Sequence, residues 1–136
     1  MNRRRLLTTL ALGGAFCAGW TGRARAWLAP AVRLEPGAAL LALLSTPDSA
    51  AAVGRAYLSS HPAEADASRL ADRLAAGIRC QGCEPVRASS EELRAALSRQ
   101  IRADFAQGQV VHVEGWVLSV SEARLCGLAA LSAPMA

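Results

Sequence analysis

The chain has 136 residues with 15 basic and 11 acidic side chains, a formal net charge of +4, and every basic residue is Arg. That length holds one domain, or less than one if a leader is removed. Aromatic residues are only 4% of the chain, which disfavours large β-sandwiches and base-stacking nucleic-acid modules, while 30 Ala and 19 Leu favour helices.

Arg3, Arg4 and Arg5 open the chain, an apolar run follows over residues 6–20, and Thr21-Gly22-Arg23-Ala24-Arg25-Ala26 closes the segment. A charged start, an apolar run of about 15 residues and a small-x-small end are the parts of a secretory signal peptide, with Ala24 and Ala26 placing cleavage after Ala26. The segment resembles a twin-arginine (Tat) signal. Arg3 and Arg4 match its paired Arg, Arg5 its free position, and Leu6 and Leu7 its apolar positions; Asn2 and Thr8 depart from the pattern. The resemblance implies export of a folded chain by the bacterial Tat translocase to the periplasm, with only transient contact with the inner membrane. A Sec signal is the competing address. An uncleaved anchor is disfavoured because the run falls short of the roughly 20 residues that span a bilayer, and a lipoprotein because the bulky Phe16 precedes Cys17. Removing residues 1–26 leaves 10 Arg against 11 acids, a formal −1. The basic balance belongs to the leader, and a nucleic-acid partner is not expected.

Residues 27–136 read as a single small helical domain. Residues 27–35 carry Pro30 and no period, an extended entry, and residues 38–44 are apolar enough for one or two helical turns. Thr46-Pro47 is a helix start, with Val53, Ala56 and Tyr57 on one face and an end near Leu58. Pro62 is expected to begin a second helix with Glu64 and Asp66 in its first turn, an apolar face of Ala67, Leu70, Ala71, Leu74 and Ile78, and Gly77 near its stop. Residues 79–88 read as a loop. Ser89 with Glu92 fits a capping box, and Leu93, Ala96, Leu97, Ile101 and Phe105 form the next stripe, ended by Gly108. Two β-prone runs, Val110-Val111-His112-Val113 and Trp116-Val117-Leu118, flank Glu114-Gly115, a two-residue hairpin turn. Ser119 with Glu122 is a second capping box, opening a helix that buries Leu125, Leu128 and Ala129. The tail from Ser132 is expected to be loose. The fold class that follows is mainly α: a compact bundle of about five short helices with one small β-hairpin, at about residues 109–118, before the last helix.

Cys80-Gln81-Gly82-Cys83 is the main chemical candidate. Haem attachment is disfavoured because Glu84, not His, follows, and a thioredoxin-type centre because a helix ends before the pair. A disulfide between Cys80 and Cys83 suits an exported protein; Cys126 is then a buried thiol or the partner of one loop Cys. A strained pair would leave a redox role open. A metal site would have to combine Cys80, Cys83 and Cys126 with His61 or His112, a legitimate zinc set that the spacing does not demand. His61 reads as a capping or surface residue, His112 as structural, and Trp116 as the anchor of the hairpin on the helices. Asp104, Glu114 and Glu122 are a third candidate, a carboxylate group for which the sequence shows no partner base, nucleophile or metal motif. The sequence has no phosphate loop, nucleophile elbow or H-E-x-x-H, so no cofactor or catalytic residue is expected.

In size, signal and composition the chain resembles the small Tat-signalled subunits that accompany periplasmic sugar or alcohol dehydrogenases, although no motif of that group is matched residue by residue. The resemblance implies a small exported helical protein, a non-catalytic accessory or partner subunit of a larger periplasmic oxidoreductase. The alternative from the residues themselves is a thiol-redox or metal-binding protein using the Cys80–Cys83 pair.

Overall fold

The helices that begin at Ser90 and Val120 start where the sequence supplies an acceptor for free backbone amides, whereas those that begin at Pro36 and Pro47 start on proline with no side-chain cap, Thr46 included. Ser89 Oγ accepts from the Glu92 amide at 3.2 Å while the Glu92 carboxylate accepts from the Ser89 amide at 2.8 Å; Ser119 and Glu122 repeat the exchange at 3.0 and 2.9 Å. The computed structural model describes residues 35–134. The expectations attached to Arg3, Arg4, Leu6, Leu7, Cys17, Ala24 and Ala26 lie outside the described residues.

Five helices and a hairpin follow in chain order: α1 (Pro36–Leu41), α2 (Pro47–Ser60), a 3-10 turn (Pro62–Glu64), α3 (Ala67–Cys80), α4 (Ser90–Ala106), β1 (Val110–Val113), β2 (Trp116–Ser119) and α5 (Val120–Ser132). The protein is therefore mainly helical with a small antiparallel sheet before the last helix, as its sequence leads one to expect. α5 is the central element and packs against the other four helices and both strands. Leu125 and Leu128 on α5 meet Leu40, Leu70, Leu74, Ile78, Leu93 and Leu97 in the main core. Ala129 meets Ala50 and Ala51 of α2 in a second cluster, and Ala123 meets Tyr57 and Val113 in a third. Small side chains bring α2 and α5 together. A Cβ on Gly54 would lie 1.9 Å from the Cys126 carbonyl oxygen, so the two backbones are in direct contact there.

Four local expectations are corrected. Pro62 opens a single 3-10 turn, not α3. Asp66 is extended and accepts from the Arg69 amide at 3.0 Å, so α3 starts at Ala67. A short acid that can hydrogen-bond the backbone favours the cap over the helix interior. Gly77 lies inside α3 because its bare side faces Gln100 of α4, where a Cβ would come to 3.1 Å from Cδ. Phe105 is 46% exposed while Asp104 is 6% exposed. At about 100° per residue, position 104 returns to within roughly 20° of Leu93 and position 105 is turned roughly 120° away. Trp116 is 72% exposed and does not anchor the hairpin; Val113 does that, at 5%.

The buried Asp104 is fully used. Oδ1 accepts from Gln100 Nε2 and Oδ2 from the Ser121 amide, each at 2.9 Å. The Val120 amide donates to the Gln109 carbonyl at 3.0 Å and the Glu122 amide to Ser119 Oγ. The first three amides of α5 thus all have partners, and a carboxylate faces the positive end of the helix dipole.

Candidate functional site

The cysteine pair is the first place to look for chemistry, and its spacing has a backbone cause. α3 ends in a Schellman motif. The Cys83 amide donates to the Ile78 carbonyl at 3.3 Å, the Gly82 amide to the Arg79 carbonyl at 2.9 Å, and Gly82 takes φ +77°. Cys80 is the last helical residue and exposed. Cys83 falls just past the glycine, where such motifs place an apolar residue, and packs half-buried against the core cluster containing Ile78. Both thiols are free.

Around this turn the charged side chains are mostly committed. Arg79 clasps Glu84 through Nε at 3.1 Å and Nη2 at 3.3 Å, which lowers the Glu84 carboxyl and raises the guanidinium. Arg99 Nη2 donates to the Gln81 carbonyl at 3.2 Å, and Gln81 Nε2 to Gln100 Oε1 at 3.1 Å. Gly82, Cys83, Glu84, Arg87 and Arg99 line a cleft of about 400 Å³ between the loop and α4.

The other sequence candidates are scattered. Cys126 lies on α5 against the alanine cluster with Ala50, Ala51 and Ala129, and burial, with Glu122 second, pushes its thiol up. Cys83 packs in a different cluster. Among the described residues no three His, Cys, Asp or Glu side chains gather to hold a metal ion, so the set of Cys80, Cys83 and Cys126 with His61 or His112 is not assembled. His61 stacks on Tyr57 with ring centroids 4.6 Å apart, its Nδ1 3.1 Å from the Tyr57 carbonyl. Of the three carboxylates considered together, Asp104 and Glu122 serve the start of α5, and Glu114 is exposed in the hairpin turn at φ 47°.

A charged hub that sequence reasoning missed joins the short turn to three helices. Glu64 accepts from the Tyr57 hydroxyl, from Arg124 through Nη2 at 2.9 Å and Nε at 3.2 Å, and from Arg73 Nη1 at 2.8 Å. The Arg124 hydrogen bonds, ahead of all else, hold the Glu64 carboxyl down at about 2, against the opposing effect of burial. Burial first, then the Glu64 carboxylate, pushes the Tyr57 hydroxyl up to about 12. Both carboxylate oxygens are occupied, so near neutral pH the hub is a fixed clamp and not a proton shuttle. Arg124 lies 60 residues from Glu64 and no local pattern pairs them.

The hairpin presents the largest exposed apolar side chain among the described residues, Trp116. β1 and β2 pair Val113 with Trp116, His112 with Val117 and Val111 with Leu118 across the Glu114-Gly115 turn. Both turn residues have positive φ, as a type I′ turn requires. Val111, Val113 and Leu118 pack on the third core cluster. Trp116 extends past it, and Val117 at 50% exposure shares the outer face with exposed His112. The alternation of an antiparallel pair leaves the main-chain amides and carbonyls of His112 and Val117 pointing to the outer edges of the sheet.

Comparison with family models, with curated proteins and with solved structures finds no match for this chain.

Proposed function

We propose that this chain is an exported periplasmic partner protein, an accessory subunit that docks onto a larger oxidoreductase and supplies binding surface, not residues of that enzyme's reaction centre. The exposed hairpin carries the reading. Trp116 and Val117 stand in solvent at the end of a two-stranded element, next to strand-edge groups that make no main-chain hydrogen bond. Trp is the residue type most enriched among the few side chains that dominate protein–protein affinity, and a bare strand edge is a template for main-chain pairing. The export half of the reading rests on the Tat-like leader, and the choice of an oxidoreductase on the resemblance to small Tat-signalled dehydrogenase subunits.

The test is co-purification of the tagged chain from the periplasm of its own host, compared with the Trp116→Ala variant. The expected result is one larger exported oxidoreductase recovered with the unaltered chain and lost from the variant, with helical content unchanged by circular dichroism. Equal recovery by the variant, or recovery of the chain alone, overturns the proposal.

A further inference from the structure

The cleft beside the α3 stop is not absorbed by a docking function, and two of its features belong together. The half-buried Cys83 lies in its wall, with a second thiol, exposed Cys80, three residues back across the Schellman turn. The charged side chains of the walls are two acids, Glu84 and Glu92, and two bases, Arg87 and Arg99, and they differ in what already holds them. Glu84 is held by Arg79 and Glu92 in its capping box, whereas Arg87 and Arg99 form no ion pair among the described residues, Arg99 using one nitrogen on the Gln81 carbonyl. Two guanidinium groups beside a thiol suit a ligand that carries carboxylates together with sulfur. A volume of about 400 Å³ suits a small molecule, not a protein loop.

We propose that Cys80 and Cys83 form a dithiol–disulfide couple that exchanges with small, carboxylate-bearing disulfides bound in the Arg87–Arg99 cleft. Cys83, in the wall, loses its proton to solvent and attacks one sulfur of the bound disulfide. The sulfur–sulfur bond of the ligand breaks, one half leaves as a thiolate and takes up a proton, and the other half remains on Cys83 as a mixed disulfide. Cys80 then loses its proton and attacks Cys83 Sγ, expelling the second half and closing the Cys80–Cys83 bond. The two protein thiols are oxidised by two electrons, and the ligand is reduced to two thiols. The anchored backbone of Cys83 and the exposed end position of Cys80 divide the roles. The first thiol is fixed beside the bound ligand, and the second is free to turn toward it.

The test uses the purified, reduced chain with glutathione disulfide as the carboxylate-bearing probe and cystamine as a cationic disulfide. Intact mass and peptide mapping follow the products. With glutathione disulfide the expected product is a chain lighter by two hydrogens with a Cys80–Cys83 bond, and Cys80→Ser stops at a mixed disulfide on Cys83. The double variant Arg87→Ala, Arg99→Ala is expected to react about tenfold more slowly with glutathione disulfide, and no more slowly with cystamine, as loss of two surface charge contacts implies. Both arginines are exposed, and because Arg99 also donates to the Gln81 carbonyl, circular dichroism of the double variant and the single variant Arg87→Ala separate loss of charge from loss of fold. A mixed disulfide trapped on Cys80 in place of Cys83, absence of the internal bond, or equal slowing with both probes overturns the proposal. The docking reading does not depend on this result, since the hairpin contains none of these residues.

Discussion

Replacing Gly54 by Ala tests the most constrained contact in the fold. Judged as a local change the substitution should help, because Ala is about 1 kcal/mol better than Gly inside a helix. The packing argues the reverse. The new Cβ would stand 1.9 Å from the Cys126 carbonyl oxygen, 2.4 Å from its carbon and 2.8 Å from the Gly127 nitrogen, all backbone atoms that no side-chain rotation removes. Relief requires α2 and α5 to separate by about 1 Å, which loosens Ala50, Ala51 and Tyr57 against Ala129 and Ala123. Overpacking of this kind typically costs about 1–3 kcal/mol, and a contact with rigid backbone belongs at the top of that range. Net of the helix gain, the expected loss is about 2 kcal/mol, or a fall in Tm of about 10 °C for a domain of this size. Thermal and urea unfolding followed by circular dichroism measure it. Ala52 is exposed on the same helix, and Ala52→Gly serves as the control, with a loss of about 1 kcal/mol from propensity alone. A Gly54→Ala protein as stable as the parent, or more so, refutes the close approach of the two helices.

The Glu64 clamp predicts a specific acid sensitivity. Its carboxyl is held at about 2 against an ordinary 4.5, so its contribution is complete above about pH 4.5 and is lost as the pH falls to about 2. The shift corresponds to at most about 3 kcal/mol, and screening at this partly solvated position reduces it to about 1–2 kcal/mol. Stability measured between pH 7 and 2 should therefore fall less steeply in Glu64→Gln than in the parent; parallel curves contradict the clamp. Asp104→Asn replaces one acceptor oxygen with a donor facing either Gln100 or the Ser121 amide. The expected cost is about 1–3 kcal/mol by urea unfolding, and a neutral result would show the carboxylate to be dispensable. Glu114 occupies the left-handed region at φ 47°. Glu114→Asn should raise stability by about 0.5–1 kcal/mol, read as a rise in Tm, because Asn tolerates that conformation better; a fall in Tm contradicts the turn assignment.

What was legible in the sequence is what is encoded locally. Ser89 with Glu92 and Ser119 with Glu122 each close their boxes within one helical turn, and Glu114-Gly115 is set by two adjacent dihedrals. The errors lie where a local signal has two solutions and tertiary contacts choose between them. Gly77 reads as the stop of α3, but it packs against Gln100 inside the helix, and Gly82, in the stretch read as loop, provides the stop at φ +77°. Phe105 looked apolar enough to be buried, yet helix phase and the free amide of Ser121 gave the inward place to Asp104. Trp116 was expected on the core because it is large and apolar, but its partner Val113 already fills that contact. Neither the Glu64 hub nor the Arg87–Arg99 cleft has a linear signature, since both join residues from separate elements. The Cys80–Cys83 spacing was visible, but its role as the two ends of a helix stop needs the backbone hydrogen bonds.

The central claim is that the hairpin is the docking surface of an exported partner protein. Site-specific photocrosslinking in the native host tests it most directly. A photoreactive residue is placed at Trp116 and, as a control, at exposed Ala52 of α2. The account predicts an ultraviolet-dependent adduct at position 116 alone, identified by mass spectrometry as a periplasmic oxidoreductase larger than this chain. An adduct of equal yield at position 52, or none at position 116 while the chain is present in the periplasm, would contradict it.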